Sequence, residues 1–296
     1  MHEITKMKTK TLKWIYLIFL SVIWGSSFIL IKYALIGLTP IQVGALRILI
    51  TALFLLLVGF NSLKKISKEE WKYIIITAFF GTFFPAFLFS YAITKVDSSF
   101  AAILNSFTPF NTLVFGALFF GYAFQKKQII GILIGLVGTI MLIYNSESIN
   151  FEADYLYISF ILIASIGYAF NVNIIKKYLQ NVNALAITTG NFVILIIPTL
   201  IVLYYSGFFD SFKITPQTKT SIAYVAILAL FGTAIAKTVF NKLVQISSPI
   251  FSASVTYLIP IIAVIFGVLD GEKLGFLQLF SAFVILFGVY LVNRNK

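Results

Sequence analysis

The chain has 296 residues, of which 60% are hydrophobic and only 11% are charged, whereas a soluble domain carries about 25% charged residues. This composition excludes an ordinary soluble domain. Cysteine is absent and His2 is the single histidine, which excludes disulfides and any metal or proton-shuttle site built from these side chains. We therefore predict no metal site and no cofactor.

Long apolar segments dominate the chain, and many reach the roughly 20 residues that a helix needs to cross a bilayer. A porin-like barrel would instead alternate apolar and polar residues in segments of roughly ten. The sequence therefore predicts an all-α polytopic membrane protein with short loops. Its ten predicted transmembrane helices are 12–34, 41–59, 73–93, 98–121, 128–144, 155–175, 184–205, 219–240, 248–268 and 275–292.

Lysine and arginine positions predict the orientation in the membrane. With a cytoplasmic N-terminus, 15 of them lie in inside loops, four in outside loops and three within or beside spans. Cytoplasmic loops carry this kind of excess, so both termini are predicted to face the cytoplasm. The net charge of +12 then follows from topology and anionic lipid and needs no nucleic acid. The first apolar run has no A-x-A-like cleavage site after it, so we expect a retained span rather than a signal peptide.

A polar and aromatic stripe occurs twice. The segment SVIWGSSFILIKY begins at Ser21 and matches a segment that begins at Ser165, at an offset of 144 residues. Because the matched positions are three residues apart, they lie on roughly one face of a helix. The matched pairs are Ser21 with Ser165, Trp24 with Tyr168, and Ser27 with Asn171.

Later segments repeat as well, at an offset of 151. FFGTFF at 79–84 matches LFGTAI at 230–235, Pro109 matches Pro260 and Asn105 matches Thr256. The sequence therefore predicts two five-helix halves, 1–147 and 148–296. An odd number of spans places the halves in opposite orientations, which is the inverted repeat of many secondary transporters, with the substrate site near the midplane.

The matched prolines predict a kink in each half. A proline inside a helix displaces the carbonyl four residues earlier and removes a hydrogen bond, so Pro109 frees the carbonyl of Asn105 and Pro260 frees that of Thr256. A freed carbonyl cannot face lipid and must meet protein or a wet cavity. Two interpretations remain open, namely a cavity-facing carbonyl and a packing kink whose Asn or Thr bonds a neighbouring helix.

Three cations lie within or beside spans. Lys32 is close to a span end and is expected to snorkel to the interface. Arg47 is expected to pair with helix-end carbonyls or an outer acid, or else to face the interior. Lys237 has no acidic residue near it in the sequence, and its counterpart in the first half is Ala86. If Lys237 faces a cavity, it favours an anionic group on the substrate.

The candidate substrate-binding residues combine these features. Aromatic side chains often form belts at the membrane interface, but Trp24 and Tyr168 lie mid-span beside Ser and Asn, which favours a cavity wall. No acid falls clearly inside a span, which weakens proton or sodium coupling through a carboxylate and favours uniport, exchange or weakly coupled export. The predicted set is Trp24, Ser27, Asn105, Tyr168, Asn171, Lys237, Thr256 and Tyr257.

The chain resembles the EamA family of the drug/metabolite transporter superfamily over about residues 14–292. The resemblance rests on WGSSFILIK at 24–32, ALRILITALFLLL at 45–57, DGEKLGFLQLFSAFVILFGVYL at 270–291, and the two prolines. It implies a ten-helix basket of two inverted bundles that transports small metabolites, often exporting amino acids. One departure is that the Gly-Glu turn present as Gly271-Glu272 has Tyr122 in place of glutamate in the first half, so any role of Glu272 applies to one half only.

The function predicted from these features is an inner-membrane secondary transporter, working by alternating access, that exports small metabolites such as amino acids. Its predicted partners are a small-molecule substrate and the lipid bilayer. A multidrug or amphiphile exporter is the alternative. A membrane enzyme would need a positioned acid or base, and a channel would need rings of like groups, so both are weaker alternatives. The oligomeric state is not predicted.

Overall fold

The computed structural model describes residues 2–96, 98–144, 155–269 and 275–293, and all regular secondary structure in these ranges is helical. Two short π-helical segments, π1 (Phe79–Phe83) and π2 (Leu228–Ile235), interrupt otherwise continuous helices. The α-helices are α1 (His2–Ala34), α2 (Pro40–Leu63), α3 (Lys68–Ala78), α4 (Phe84–Ala92), α5 (Ser98–Asn105), α6 (Thr108–Phe120), α7 (Lys126–Tyr144), α8 (Tyr155–Tyr178), α9 (Ala184–Tyr205), α10 (Phe208–Ser211), α11 (Pro216–Ile227), α12 (Ala236–Ile246), α13 (Pro249–Ala253), α14 (Val255–Leu269) and α15 (Phe276–Asn293).

The prediction of an all-helical membrane protein is confirmed. Within the described ranges, six helical stretches are long and apolar enough to cross a membrane, and shorter apolar helices accompany them. The six are Thr11–Ala34, Pro40–Leu63, Lys68–Ala92, Tyr155–Tyr178, Ala184–Tyr205 and Pro216–Ile246.

Two predicted single helices are each divided in the structure. The range 98–121 contains α5 and α6, and 248–268 contains α13 and α14. Proline explains the first break, because Pro109 stands in the first turn of α6 and cannot continue a helix from α5. In the second range the break comes at Ser254, and Pro260 lies inside α14.

Local sequence explains where several helices begin. Thr39 caps α2 and exchanges hydrogen bonds with Gln42 in a capping box, with Pro40 in the first turn. Ser67 and Glu70 form the same motif at the start of α3. Such caps satisfy N–H groups that have no partner in the first turn, so each helix starts where its cap stands.

Helices of the two predicted halves pack directly on one another. α2 packs against α9, and α7 packs against α15. Glycines bring the last pair into backbone contact, because a Cβ at Gly288 would lie 2.6 Å from the nitrogen of Gly135 and 2.7 Å from the carbonyl oxygen of Gly131. Small residues let membrane helices approach this closely. A cavity is left where α1, α8 and the two π segments meet.

Candidate substrate cavity

The cavity lies between the two predicted halves and has a volume of about 100 Å³. One water needs about 10–15 Å³, so the cavity can hold a small molecule rather than a single water. Seven of the predicted substrate-binding residues line it, namely Trp24, Ser27, Asn105, Tyr168, Asn171, Lys237 and Thr256.

Tyr257 does not line the cavity, which corrects the expectation for this residue. Its ring packs on Gly135, where an added Cβ would meet it at 2.9 Å, and its hydroxyl donates to the carbonyl of Ile132 at 2.9 Å. Tyr257 follows Thr256 directly, and successive residues of a helix point about 100° apart. The two side chains therefore face different neighbours.

The two halves supply equivalent contacts to the cavity wall. Ser27 lies against Gly232, where an added Cβ would be 2.8 Å from the Ser27 hydroxyl, and Asn171 lies against Gly81, where it would be 2.4 Å from the Asn171 amide. Both glycines belong to π segments, one to π1 and one to π2. The paired repeats in the sequence thus meet each other across the cavity.

Aromatic side chains continue this correspondence. Trp24 contacts Phe240 with ring centroids 5.1 Å apart, and Tyr168 stacks on Phe89 at 6.1 Å. Phe89 and Phe240 are themselves related by the offset of 151. The cavity therefore has an aromatic pair on each side, as expected for a wall that accepts an apolar body.

Each π segment presents a glycine carbonyl that lacks its usual helical donor. The N–H of Ala236 bonds the carbonyls of Phe231 and Thr233 rather than that of Gly232. The Gly232 carbonyl accepts from Trp24 Nε1 at 3.0 Å. In the other half Pro85 stands four residues after Gly81 and has no N–H to offer. The Gly81 carbonyl accepts from Lys237 Nζ.

Two cations reach the cavity wall. Lys237 is 9% exposed and its ammonium donates to the Gly81 carbonyl and the Thr82 hydroxyl. Arg47 donates from Nε to the Thr233 hydroxyl at 2.7 Å and lines the cavity, which favours the alternative that it faces the interior of the protein. Lys32, by contrast, is exposed, as expected for an interface anchor.

The wall also holds a polar atom without a protein partner. Asn171 is 2% exposed, and its Oδ1 has no hydrogen-bond partner among the described residues. Buried polar atoms are nearly always paired, so this oxygen is an unusual feature of the wall, and it lies packed against Gly81. None of the described lining residues is acidic, and no group of His, Asp or Glu in the described ranges could hold a metal ion.

The carbonyls freed by the two prolines are paired within the protein. The Asn105 carbonyl accepts from the Thr108 hydroxyl at 2.7 Å. The Thr256 carbonyl accepts from the Ser106 hydroxyl at 3.0 Å, across the boundary between the predicted halves. The carbonyls therefore follow the packing interpretation, whereas the side chains of Asn105 and Thr256 line the cavity.

Ser106→Ala is expected to lower the free energy of unfolding by about 1–3 kcal/mol, because it leaves the buried Thr256 carbonyl unpaired. In a Pro260→Ala background the penalty should shrink by about 1 kcal/mol or more, because the introduced alanine supplies a backbone N–H to that carbonyl. Unfolding in mixed detergent micelles measures both values. Ser90→Ala is the control, since the buried Ser90 hydroxyl bonds only its own helix. An equal penalty in both backgrounds would contradict the assigned role of Ser106.

The sequence did not assign several residues to the wall. It leaves Arg47 between alternatives, and it does not single out the threonines that hold the two cations. A signal for the threonines was present, because the repeated Gly-Thr step in FFGTFF and LFGTAI contains both. The polar residues and glycines that the structure adds to the wall are Arg47, Gly81, Thr82, Thr108, Gly232 and Thr233.

Comparison with known proteins supports a transport function. The sequence model of the EamA-like transporter family matches residues 12–144 and 155–294. The chain is 30% identical to the uncharacterized inner membrane transporter YedA of Escherichia coli (strain K12) over 94% of this chain and 89% of that one. It is 26% identical to the "Probable amino-acid metabolite efflux pump" of Salmonella typhimurium, over 91% of each chain.

A solved crystal structure shares the fold, with a TM-score of 0.73 at 14% identity over 94% of both chains. The family match extends over nearly the whole chain, and six of the described helical stretches are long and apolar enough to span a membrane. The chain is therefore a multi-pass membrane transporter and belongs to the EamA-like transporter family.

Proposed function

We propose that this protein is a secondary transporter of the inner membrane that exports small metabolites, amino acids and related organic acids among them. The observation that carries the proposal is the cavity between the predicted halves, walled by equivalent residues from each. A site at the junction of two repeats is the usual arrangement in carriers that work by alternating access. The name of the Salmonella relative agrees with this cargo.

We further propose that residues 1–147 and 148–296 are inverted five-helix halves that rock around the cavity. Three observations support this. The family model matches once on each side of residues 145–154, π segments recur at equivalent places, and Ser27–Gly232 and Asn171–Gly81 are reciprocal contacts. The excess of lysine and arginine in the predicted inside loops supports our further proposal that both termini face the cytoplasm.

The chemistry of the wall favours metabolites over cationic drugs. Two cations and no acid are found among the described lining residues, and like charges repel a cationic ligand more strongly in a low-dielectric cavity. The aromatic part of the wall would suit a neutral amphiphile, so a drug-like exporter is the alternative that the transport test must separate.

Proteoliposomes loaded with an unlabelled amino or organic acid are expected to accumulate the labelled form from outside by counterflow, without an imposed ion gradient. Gly81→Leu should abolish accumulation, because its side chain would enter the wall at Asn171. Leu57→Phe is the control, since the Leu57 side chain is 85% exposed on the protein surface, away from the cavity lining. Failure of every metabolite to exchange, with exchange of amphiphilic drugs instead, would replace metabolite export by the alternative function.

A further inference from the structure

The cavity gathers positive charge without a matching negative charge. Arg47 and Lys237 both line it, and the described lining residues include no carboxylate. Charged side chains at membrane depth are costly, and they are found paired or in functional sites. The partners of these two cations are neutral hydroxyl and carbonyl groups, which offset only part of that cost. The missing negative charge is therefore expected to come from the cargo.

The guanidinium of Arg47 is held in a way that leaves its fork open. Its Nε donates to the Thr233 hydroxyl at 2.7 Å, and that hydroxyl in turn donates to the carbonyl of Leu228 at 3.0 Å. This chain of bonds fixes the plane of the group. No described residue accepts a hydrogen bond from its two terminal amino groups, although the side chain lines the cavity. Such a planar fork matches the two oxygens of a carboxylate.

Lys237 stands on the same wall as this fork. Thr233, which holds Arg47, is four residues before Lys237 on one continuous helical stretch, and residues four apart share a helix face. The ammonium of Lys237 uses two of its three donors, for Gly81 and Thr82. One donor remains for a ligand.

We propose that Arg47 and Lys237 form a carboxylate-binding subsite and that the cargo is a small carboxylate with an apolar body. This proposal rests on the proposed transport function. The Arg47 fork takes both carboxylate oxygens and Lys237 adds a third donor. The apolar body lies against the aromatic wall at Phe89 and Phe240.

The competing explanation is that both cations only brace the helices that they touch. A brace affects every ligand alike, whereas a carboxylate subsite affects only ligands that carry a carboxylate. The ratio of affinities between an acid and its uncharged amide therefore separates the two. Two acid–amide pairs provide that comparison, namely leucine with leucinamide, and the 2-oxo acid of leucine with its amide, which carries no charge.

Binding of the four probes to the purified full-length protein in nanodiscs is measured by calorimetry. The wild type should bind each acid about 10- to 100-fold more tightly than its amide, as for hydrogen bonds to charged groups, and the pair formed by the 2-oxo acid and its uncharged amide decides. Arg47→Gln and Lys237→Gln should each bring this ratio close to one. Lys32→Gln removes an equal charge from an exposed position and should leave the ratio unchanged.

Equal binding of the acids and their amides by the wild type overturns the proposal, and so does the absence of binding by either acid. This comparison needs no variant, so it decides even if a substitution impairs folding. A ratio that survives in either glutamine variant removes that residue from the subsite. Counterflow of neutral solutes combined with an acid-to-amide ratio of one would overturn the subsite alone and leave the transport function standing.

Discussion

Gly288→Ala is expected to lower the free energy of unfolding by about 2–4 kcal/mol, although alanine favours a helix over glycine by up to about 1 kcal/mol. An added Cβ would lie 2.6, 2.7 and 2.9 Å from backbone atoms of Gly135 and Gly131. Backbone atoms cannot rotate away as a side-chain end can, so α7 and α15 must separate. Membrane helices associate mainly through such close packing, and overpacking commonly costs about 1–3 kcal/mol and sometimes more.

Unfolding in mixed micelles, or the melting temperature in detergent, measures this loss. Gly190→Ala is the matched control, because its Cβ would meet only side-chain ends, at 3.0 Å from Ile74 and 3.5 Å from Ile66. We expect that variant to stay within about 1 kcal/mol of the wild type. If the two alanine variants are equally stable, the backbone contact between α7 and α15 does not support the fold.

The sequence predicts the helical membrane architecture well because apolar length is a direct requirement of the bilayer. It also places Trp24, Ser27, Tyr168 and Asn171 on the cavity, since a polar stripe inside a span must avoid lipid. The repeat strengthens that inference. A polar or aromatic side chain that occurs at matching positions of both predicted halves is less readily explained as a chance occurrence in one span.

The sequence could not predict hydrogen-bond partners that are brought together only by the tertiary structure. The partner of Arg47 is Thr233, 186 residues away, and no local pattern joins them. Arg47 lies eight residues after the helix cap Thr39, and the residue at the same distance from the cap Asn183 is Asn191. The repeat therefore contains no second arginine from which the role of Arg47 could be inferred. The hydroxyl that pairs with the carbonyl freed by Pro260 belongs to Ser106, in the turn between α5 and α6. Proline predicts a freed carbonyl but not its new partner.

The second large effect concerns Gly81 and Gly232, which match at an offset of 151 residues but have different neighbours. At Gly232 the nearest atom to an added Cβ is the Ser27 hydroxyl at 2.8 Å, whereas at Gly81 both Cγ and Oδ1 of Asn171 lie at 2.4 Å. A hydroxyl can rotate aside, but the Asn171 amide is 2% exposed and has no free space. Gly81→Ala is therefore expected to be the more damaging change, in both stability and transport.

Gly81→Ala should cost about 1–3 kcal/mol and reduce counterflow at least tenfold, because the displaced Asn171 amide enters the cavity. Gly232→Ala should cost about 1 kcal/mol or less, as a mild contact partly offset by helix propensity. Asn171→Ala removes the two atoms at 2.4 Å and leaves Cβ at 2.9 Å, so in the Gly81→Ala background it should recover part of the stability. Transport should not return with it, because the cavity wall loses the Asn171 amide. Equal damage from the two glycine variants would show that Asn171 does not crowd Gly81. Full recovery of transport in the double variant would show that transport does not need the Asn171 amide.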